Sequence, residues 1–486
     1  MDFGIKITKT LPCLSVFSFP FPIVIIHKGS IYLPKFLFLV LFLCGTAFIT
    51  AQGADTTEAV LAEITELLSA SKYNEAITLF DTIPSPGKDS SRLRLLKASV
   101  LSSAGKYAEA RALADGVSKA EPNNTEALFV LAAIEGAQGR LRQQQSALER
   151  IIKIEPNNTE ANLSLGNLRL KNRSVRAAAT HYQKALNNEP ENIDALIGLS
   201  RAFRMNKEWD RAEVILNQCV KLYPDMPEAR SERARFYWGR GFLVQALADL
   251  DEAKKLAPGD YWISTDRGSL LVDMNRKTLA LEEFKRAISL NPNEYLAYIY
   301  SAGLKDDLGD FDGAERDYAV LAKMKPDYHY GLEGLGLHKM KNEKWSEARD
   351  AFMEAYKQAP LEHLYGLLAA INWMKAENAA SARQFLGQVQ AKVKRDTLEW
   401  YMFRLYYDLT ARNYAGENDM IIRLDQEKDN NLKARMLFYM AQYYDIRGNA
   451  AVANKYYLMV NELDTRAIPE WRLNEWIMTS RKLKPF

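Results

Sequence analysis

With 486 residues, 48% apolar and 26% charged, the chain has the material for an extended core, which excludes an intrinsically disordered class. The first 51 residues hold Lys6, Lys9, Lys28 and Lys35 against Asp2, so the rest carries 60 basic and 60 acidic side chains. A neutral body lacks the clustered basic surface that phosphate backbones require, and nucleic acid is not an expected partner. Downstream of Cys13 and Cys44 only Cys219 remains, and the five histidines include no pair at helical spacing, so neither a disulfide in the body nor a metal site is expected.

From Phe36 to Ile49 the chain reads FLFLVLFLCGTAFI, preceded by Lys35 and followed by Thr50, Ala51 and Gln52. This order of a basic residue, an apolar run and small residues is the profile of an export signal, and the run is shorter than the roughly 20 residues a membrane-spanning helix needs. An earlier apolar run, Leu11 to Ile26, is broken by Pro12, Pro20 and Pro22 and does not suit a helix. Residues 1–51 therefore read as a leader, with the functional start expected near Leu33. The expected location is the periplasm or outer-membrane surface, or outside the cell, with membrane contact only through an uncleaved leader. Sequons stand at Asn123, Asn157, Asn162 and Asn172, glycan acceptors if the source is a eukaryotic secretory pathway. Asn123 and Asn157 share the hexamer Glu-Pro-Asn-Asn-Thr-Glu, which turn chemistry explains without glycans.

Downstream the sequence repeats. Pro122, Pro156, Pro190, Pro224, Pro258, Pro292, Pro326 and Pro360 are 34 residues apart. Ala76, Ala110, Gln144, Ala178, Ala212, Ala246, Ala280, Ala314, Ala348 and Ala382 keep the same spacing. Four residues after each stands a second apolar column from Phe80 to Leu386, and three further a third from Ile83 to Val389. Offsets of four and three place the columns on one stripe of a helix. Leu128, Leu131 and Ala132, or Leu332, Leu335 and Gly336, mark a first helix before it. Each proline ends the second helix, and Asn124, Asn158 and Asp225 are the expected N-caps of the next.

The period, the small eighth residue (Gly166, Gly268, Gly336), the alanine column and the late proline together resemble tetratricopeptide repeats, here of an exported bacterial type. The resemblance implies an all-α, right-handed superhelical solenoid of tandem helix-turn-helix units. Ten units fit residues 57–396, and degenerate units fill 397–467, one of them in register from Ala434 through Leu437, Met440, Ala441, Tyr444, Gly448, Ala453 and Tyr457. Residues 468–486, with Trp471, Leu473, Trp476 and Ile477, read as a helix capping the end of the stack. Gln144 and Lys277 depart from apolar positions, and the first unit lacks its terminal proline.

No phosphate-cradling loop or nucleophile elbow is present, so no enzyme, cofactor or small-molecule substrate is expected. Cys219, in the buried column, reads as a small core residue. Arg233 with Asp249, and Arg267 with Glu283, are expected ion pairs.

The resemblance implies that first helices line a concave face where extended peptides lie. Its groove positions give Lys171, Arg201, Arg204, Arg235 and Trp238 as a peptide site, and further along Asp273, Asp306 and Asp307. The lysine and asparagine clamp of the chaperone-binding relatives is not matched, since Asn167 is joined by Gly198 and Glu232. The expected function is a protein–protein interaction scaffold of the cell envelope, taking acidic, extended segments. The alternative is an accessory subunit that presents substrate to a separate envelope enzyme or secretion machine. N-terminal sequencing of native material is expected to start at or near Gln52; a start upstream of Lys35 would remove the cleaved signal.

Overall fold

The computed structural model describes residues 54–84, 89–463, 465–466 and 468–484; the leader and its junction at Gln52 lie outside the described residues. Among the described residues 25 α-helices follow one another with no strand. First helices begin at Ser91, Thr125, Thr159, Ile193, Pro227, Tyr261, Tyr295, His329 and His363, and second helices at Tyr73, Tyr107, Leu141, Val175, Trp209, Leu243, Lys277, Phe311, Trp345 and Ala379. Both series step by 34 residues. The described chain forms two compact units, 54–256 and 257–484.

The sequence columns are the cores of both units. Each alanine of the first column is fully buried, and every member of the other two is 8% exposed or less. In three units where the second column carries a ring, the first helix of the same unit carries a glycine against it. A Cβ on Gly166 would stand 2.6 Å from the Tyr182 ring, on Gly268 2.9 Å from Phe284, and on Gly336 2.8 Å from Phe352. Ring volume on one helix is thus matched by missing volume on its neighbour, as close-packed interiors require. The expected ion pairs form inside this packing: Arg233 donates to Asp249 at 2.7 and 2.8 Å, and Arg267 to Glu283 at 2.6 Å. Lys277, exceptional as an apolar position, donates to Asp307 at 2.9 Å.

Between units, Asn124, Asn158 and Asn192 cap the helices that follow, each side-chain oxygen accepting an amide proton at 2.9–3.0 Å. The Glu three residues before accepts from each asparagine's amide nitrogen, which holds the cap in place. Asp225 does not cap. Helix Pro227–Gly239 starts two residues later with proline in its first turn, so there is one amide fewer to satisfy and Met226 is the boundary residue. Asn162 is fully buried, its amide donating to the carbonyls of Pro156 and Asn158, so this sequon is closed to a glycan in the folded chain.

Within each unit the hairpin turn closes the same way. The fifteenth residue takes a left-handed backbone conformation at Ser71, Gly105, Gly139, Arg173, Lys207, Gly241, Asn275, Gly309, Glu343 and Glu377. The following amide donates back to the first helix, as in Lys106 to Leu101 and Glu208 to Phe203, both at 2.9 Å. This is the Schellman closure of a helix end. Gly448 repeats it in the unit that starts at Ala434.

The last helix departs from a simple cap. Pro469–Arg481 packs on Asn430–Ile446 and Ala450–Glu462, and also reaches His329–Lys341 within the same unit. Its fully buried Glu470 accepts from Arg435 at 3.1 Å and from the Tyr439 hydroxyl at 2.6 Å.

A left-handed residue other than glycine costs roughly 1 kcal/mol. Lys207→Gly is therefore expected to raise the unfolding free energy by up to about 1 kcal/mol, and Gly241→Ala, where no atom lies within 4 Å of the added carbon, to lower it by a similar amount. Chemical denaturation of both variants checks the opposite signs.

Candidate functional site

Arg201 and Arg204 stand one turn apart on helix Ile193–Met205, and Glu232, Arg235 and Trp238 follow at turn spacing on Pro227–Gly239. The 34-residue step puts Arg201 and Arg235 at equivalent positions of adjoining hairpins, and the fold brings them onto one carboxylate. Arg201 Nε donates to Glu232 Oε2 at 3.1 Å and its Nη2 to Oε1. Arg235 Nη1 donates to the same Oε1 at 2.7 Å. Glu232 is 3% exposed, whereas the Arg201 and Arg235 side chains keep 41% and 35% of their surface. The guanidinium groups thus cover the carboxylate and present their outer edges to solvent.

Burial by itself would disfavour the charged Glu232, but the Arg201 and Arg235 charges and the Arg201 hydrogen bonds overcome it and hold this carboxyl well below the usual range. Burial works against Arg201 as well, and Glu232 more than restores it, leaving that guanidinium above its ordinary value. Arg204 is shifted the other way: it is half-buried, and burial together with the charges of Arg201 and Arg235 lowers its pKa despite Glu232. Three cations thus share the field of one carboxylate, and Arg204 is lowered where Arg201 is raised.

Trp238 is half-buried one turn beyond Arg235. Lys171 is exposed at the end of Thr159–Lys171 and takes no part in the Glu232 network. Asn167 accepts from the Tyr182 hydroxyl at 2.7 Å, and the Tyr182 ring fills the space beside Gly198. Cys219 is fully buried, and burial pushes its thiol up to about 11, which suits a core residue rather than a nucleophile. Among the described residues no group of three His, Cys, Asp or Glu side chains could hold a metal ion, and no helix is long and apolar enough to cross a membrane.

In the other unit the acidic groove positions are already engaged. Asp306 accepts from Arg472 at 2.9 Å and from the Tyr318 hydroxyl at 3.2 Å, and lies 2.8 Å from His338 Nε2. Asp307 accepts from Lys277 and, at 3.4 Å, from Arg472. Sequence spacing flagged both aspartates, but Arg472 lies 165 residues from Asp307 and shares no period with it. Asp273 is exposed.

Tetratricopeptide repeat family models match residues 95–159, 169–236, 265–329 and 302–363. The human Superkiller complex protein 3 is 32% identical over 104 residues, 21% of this chain and 7% of that protein. The chain therefore spans a small fraction of this relative. Among solved structures, a tetratricopeptide repeat protein from Parabacteroides merdae is similar at 17% identity and a TM-score of 0.43, covering 51% of this chain and 99% of that one. YrrB, described as a TPR protein with an unusual peptide-binding site, is similar at 20% identity and a TM-score of 0.33, covering 39% and 96%.

Glu232→Gln turns one of the two acceptor oxygens into a donor and leaves two arginines without their counter-charge, which is expected to destabilise the fold by roughly 1–3 kcal/mol at neutral pH. Because the folded carboxyl is depressed, its contribution is present above the unfolded value of about 4.3 and is lost as pH falls through the folded one. The gap between wild type and variant is expected to narrow on acidification below about pH 4, measured as denaturation midpoints across pH.

Proposed function

Starting from the fact that this chain is a tetratricopeptide-repeat protein, we propose that it is a non-enzymatic interaction scaffold of the cell envelope whose 54–256 unit takes an acidic, extended segment of another protein at Arg201, Arg204 and Arg235. The observation that carries the reading is the excess of guanidinium over carboxylate around Glu232. Arg201 and Arg235 spend hydrogen bonds on Glu232 and hold the face in place, while Arg204, disfavoured as a cation by burial and two like charges, gains from an incoming carboxylate. Such a carboxylate would meet a planar fork donor, the geometry that favours paired hydrogen bonds. Trp238, next along the helix, offers an apolar anchor to a segment carrying an aromatic residue. Lys171 lies outside this network and contributes at most long-range attraction. The envelope location rests on the Lys35 to Gln52 profile.

Arg204→Glu is the informative variant, because Arg204 does not hold Glu232 in place. A fluorescent peptide of alternating glutamate and glycine with one tryptophan is titrated at low salt. Wild type is expected to bind, and the variant to bind at least tenfold more weakly with unchanged melting; equal affinity would place peptide binding elsewhere.

A further inference from the structure

The last helix, Pro469–Arg481, has two different faces. Trp471, Leu473, Asn474 and Met478 are buried on the side that packs against Asn430–Ile446 and Ala450–Glu462. The other side lies toward His329–Lys341. There the Arg472 fork meets both aspartates, Nη1 at 2.9 Å from Asp306 and Nη2 at 3.4 Å from Asp307. One turn on, Trp476 stands edge-on to Phe311 at 5.4 Å and lies 5.1 Å from the His338 ring, with the Lys341 ammonium 5.7 Å from the indole. Arg472 and Trp476 stay partly exposed here.

Asp306 holds the twelfth position of its unit, as Arg204 and Trp238 do in theirs, and Asp307 the thirteenth, as Lys171 does. They are aimed by neighbours that belong to the repeats themselves: the Tyr318 hydroxyl donates to Asp306, and Lys277 donates to Asp307. The repeats therefore present a preformed pair of carboxylates beside an aromatic notch, and the chain's own last helix fills it with a guanidinium and an indole four residues apart. A helix laid in a groove by anchors at one-turn spacing is a recurring mode of recognition between chains.

We propose that the face formed by Asp306, Asp307, Phe311 and His338 is a docking site for a partner helix that presents an arginine or lysine and a tryptophan one turn apart, and that Pro469–Arg481 occupies it in cis. A short tether gives the cis helix an effective concentration of roughly millimolar, so a free helix of the same chemistry competes only when the cis contact is weakened.

The test uses the full chain. A labelled peptide of residues 468–484 is titrated by fluorescence anisotropy into wild type and into Arg472→Glu/Trp476→Ala. The variant is expected to bind the peptide at least tenfold more tightly than wild type, and a peptide with both anchors replaced by alanine is expected not to bind. A variant with wild-type helicity and melting that takes no peptide overturns the proposal, leaving the last helix as a fixed cap. Hydrogen exchange on unmodified protein decides the matter even if the variant misfolds. Amides of Pro469–Arg481 exchanging at least tenfold faster than those of Asn430–Ile446 support a releasable helix, and equal protection of the two overturns it.

Discussion

The close approach of each second helix to its neighbours is the constraint on which the rest depends. A fully buried alanine column lets backbones come near, and the ring or aliphatic side chain one turn later fills the space that remains. The glycines opposite Tyr182, Phe284 and Phe352 show how tightly this is set, because one methyl group there would collide with a ring. Because the contact recurs every 34 residues, side chains at one position of the repeat fall at matching places on successive hairpins. That is what allows Arg201 and Arg235 to reach a single carboxylate.

Elements with a local cause were legible in the sequence. The three columns, the proline stops and the asparagine caps at 124 and 158 act within one helix or one turn, and the fold places them as their chemistry requires. Asp225 failed as a cap because the proline at 227 supplied another way to start the helix. The left-handed hairpin residue escaped notice for a different reason. Only Gly105, Gly139, Gly241 and Gly309 among ten such positions carry the residue that signals it, and Arg173, Lys207, Glu343 and Glu377 tolerate the strain because the Schellman hydrogen bonds hold the turn.

The candidate site was half legible. The spacing that groups Arg201, Arg204 and Arg235 is a repeat spacing, so it shows in the sequence, and Glu232 was recognisable as a neighbour that fails the known clamp. What spacing does not carry is how charge is divided: which arginines pair with the buried carboxylate and which bears the cost of crowding. The Arg472 contact was illegible altogether, since it joins segments that no periodic pattern links.

The single cysteine of the repeat body has a practical consequence. Cys219 sits at zero exposure in helix Trp209–Leu222, its thiol pushed up to about 11, and residues 257–484 contain no cysteine. In a chain with Cys13 and Cys44 exchanged for serine, a pulse of alkylating reagent modifies only molecules in which this hairpin has opened. The protein thus carries a native stopwatch for the opening of this hairpin, readable by mass spectrometry without an introduced cysteine and silent about residues 257–484.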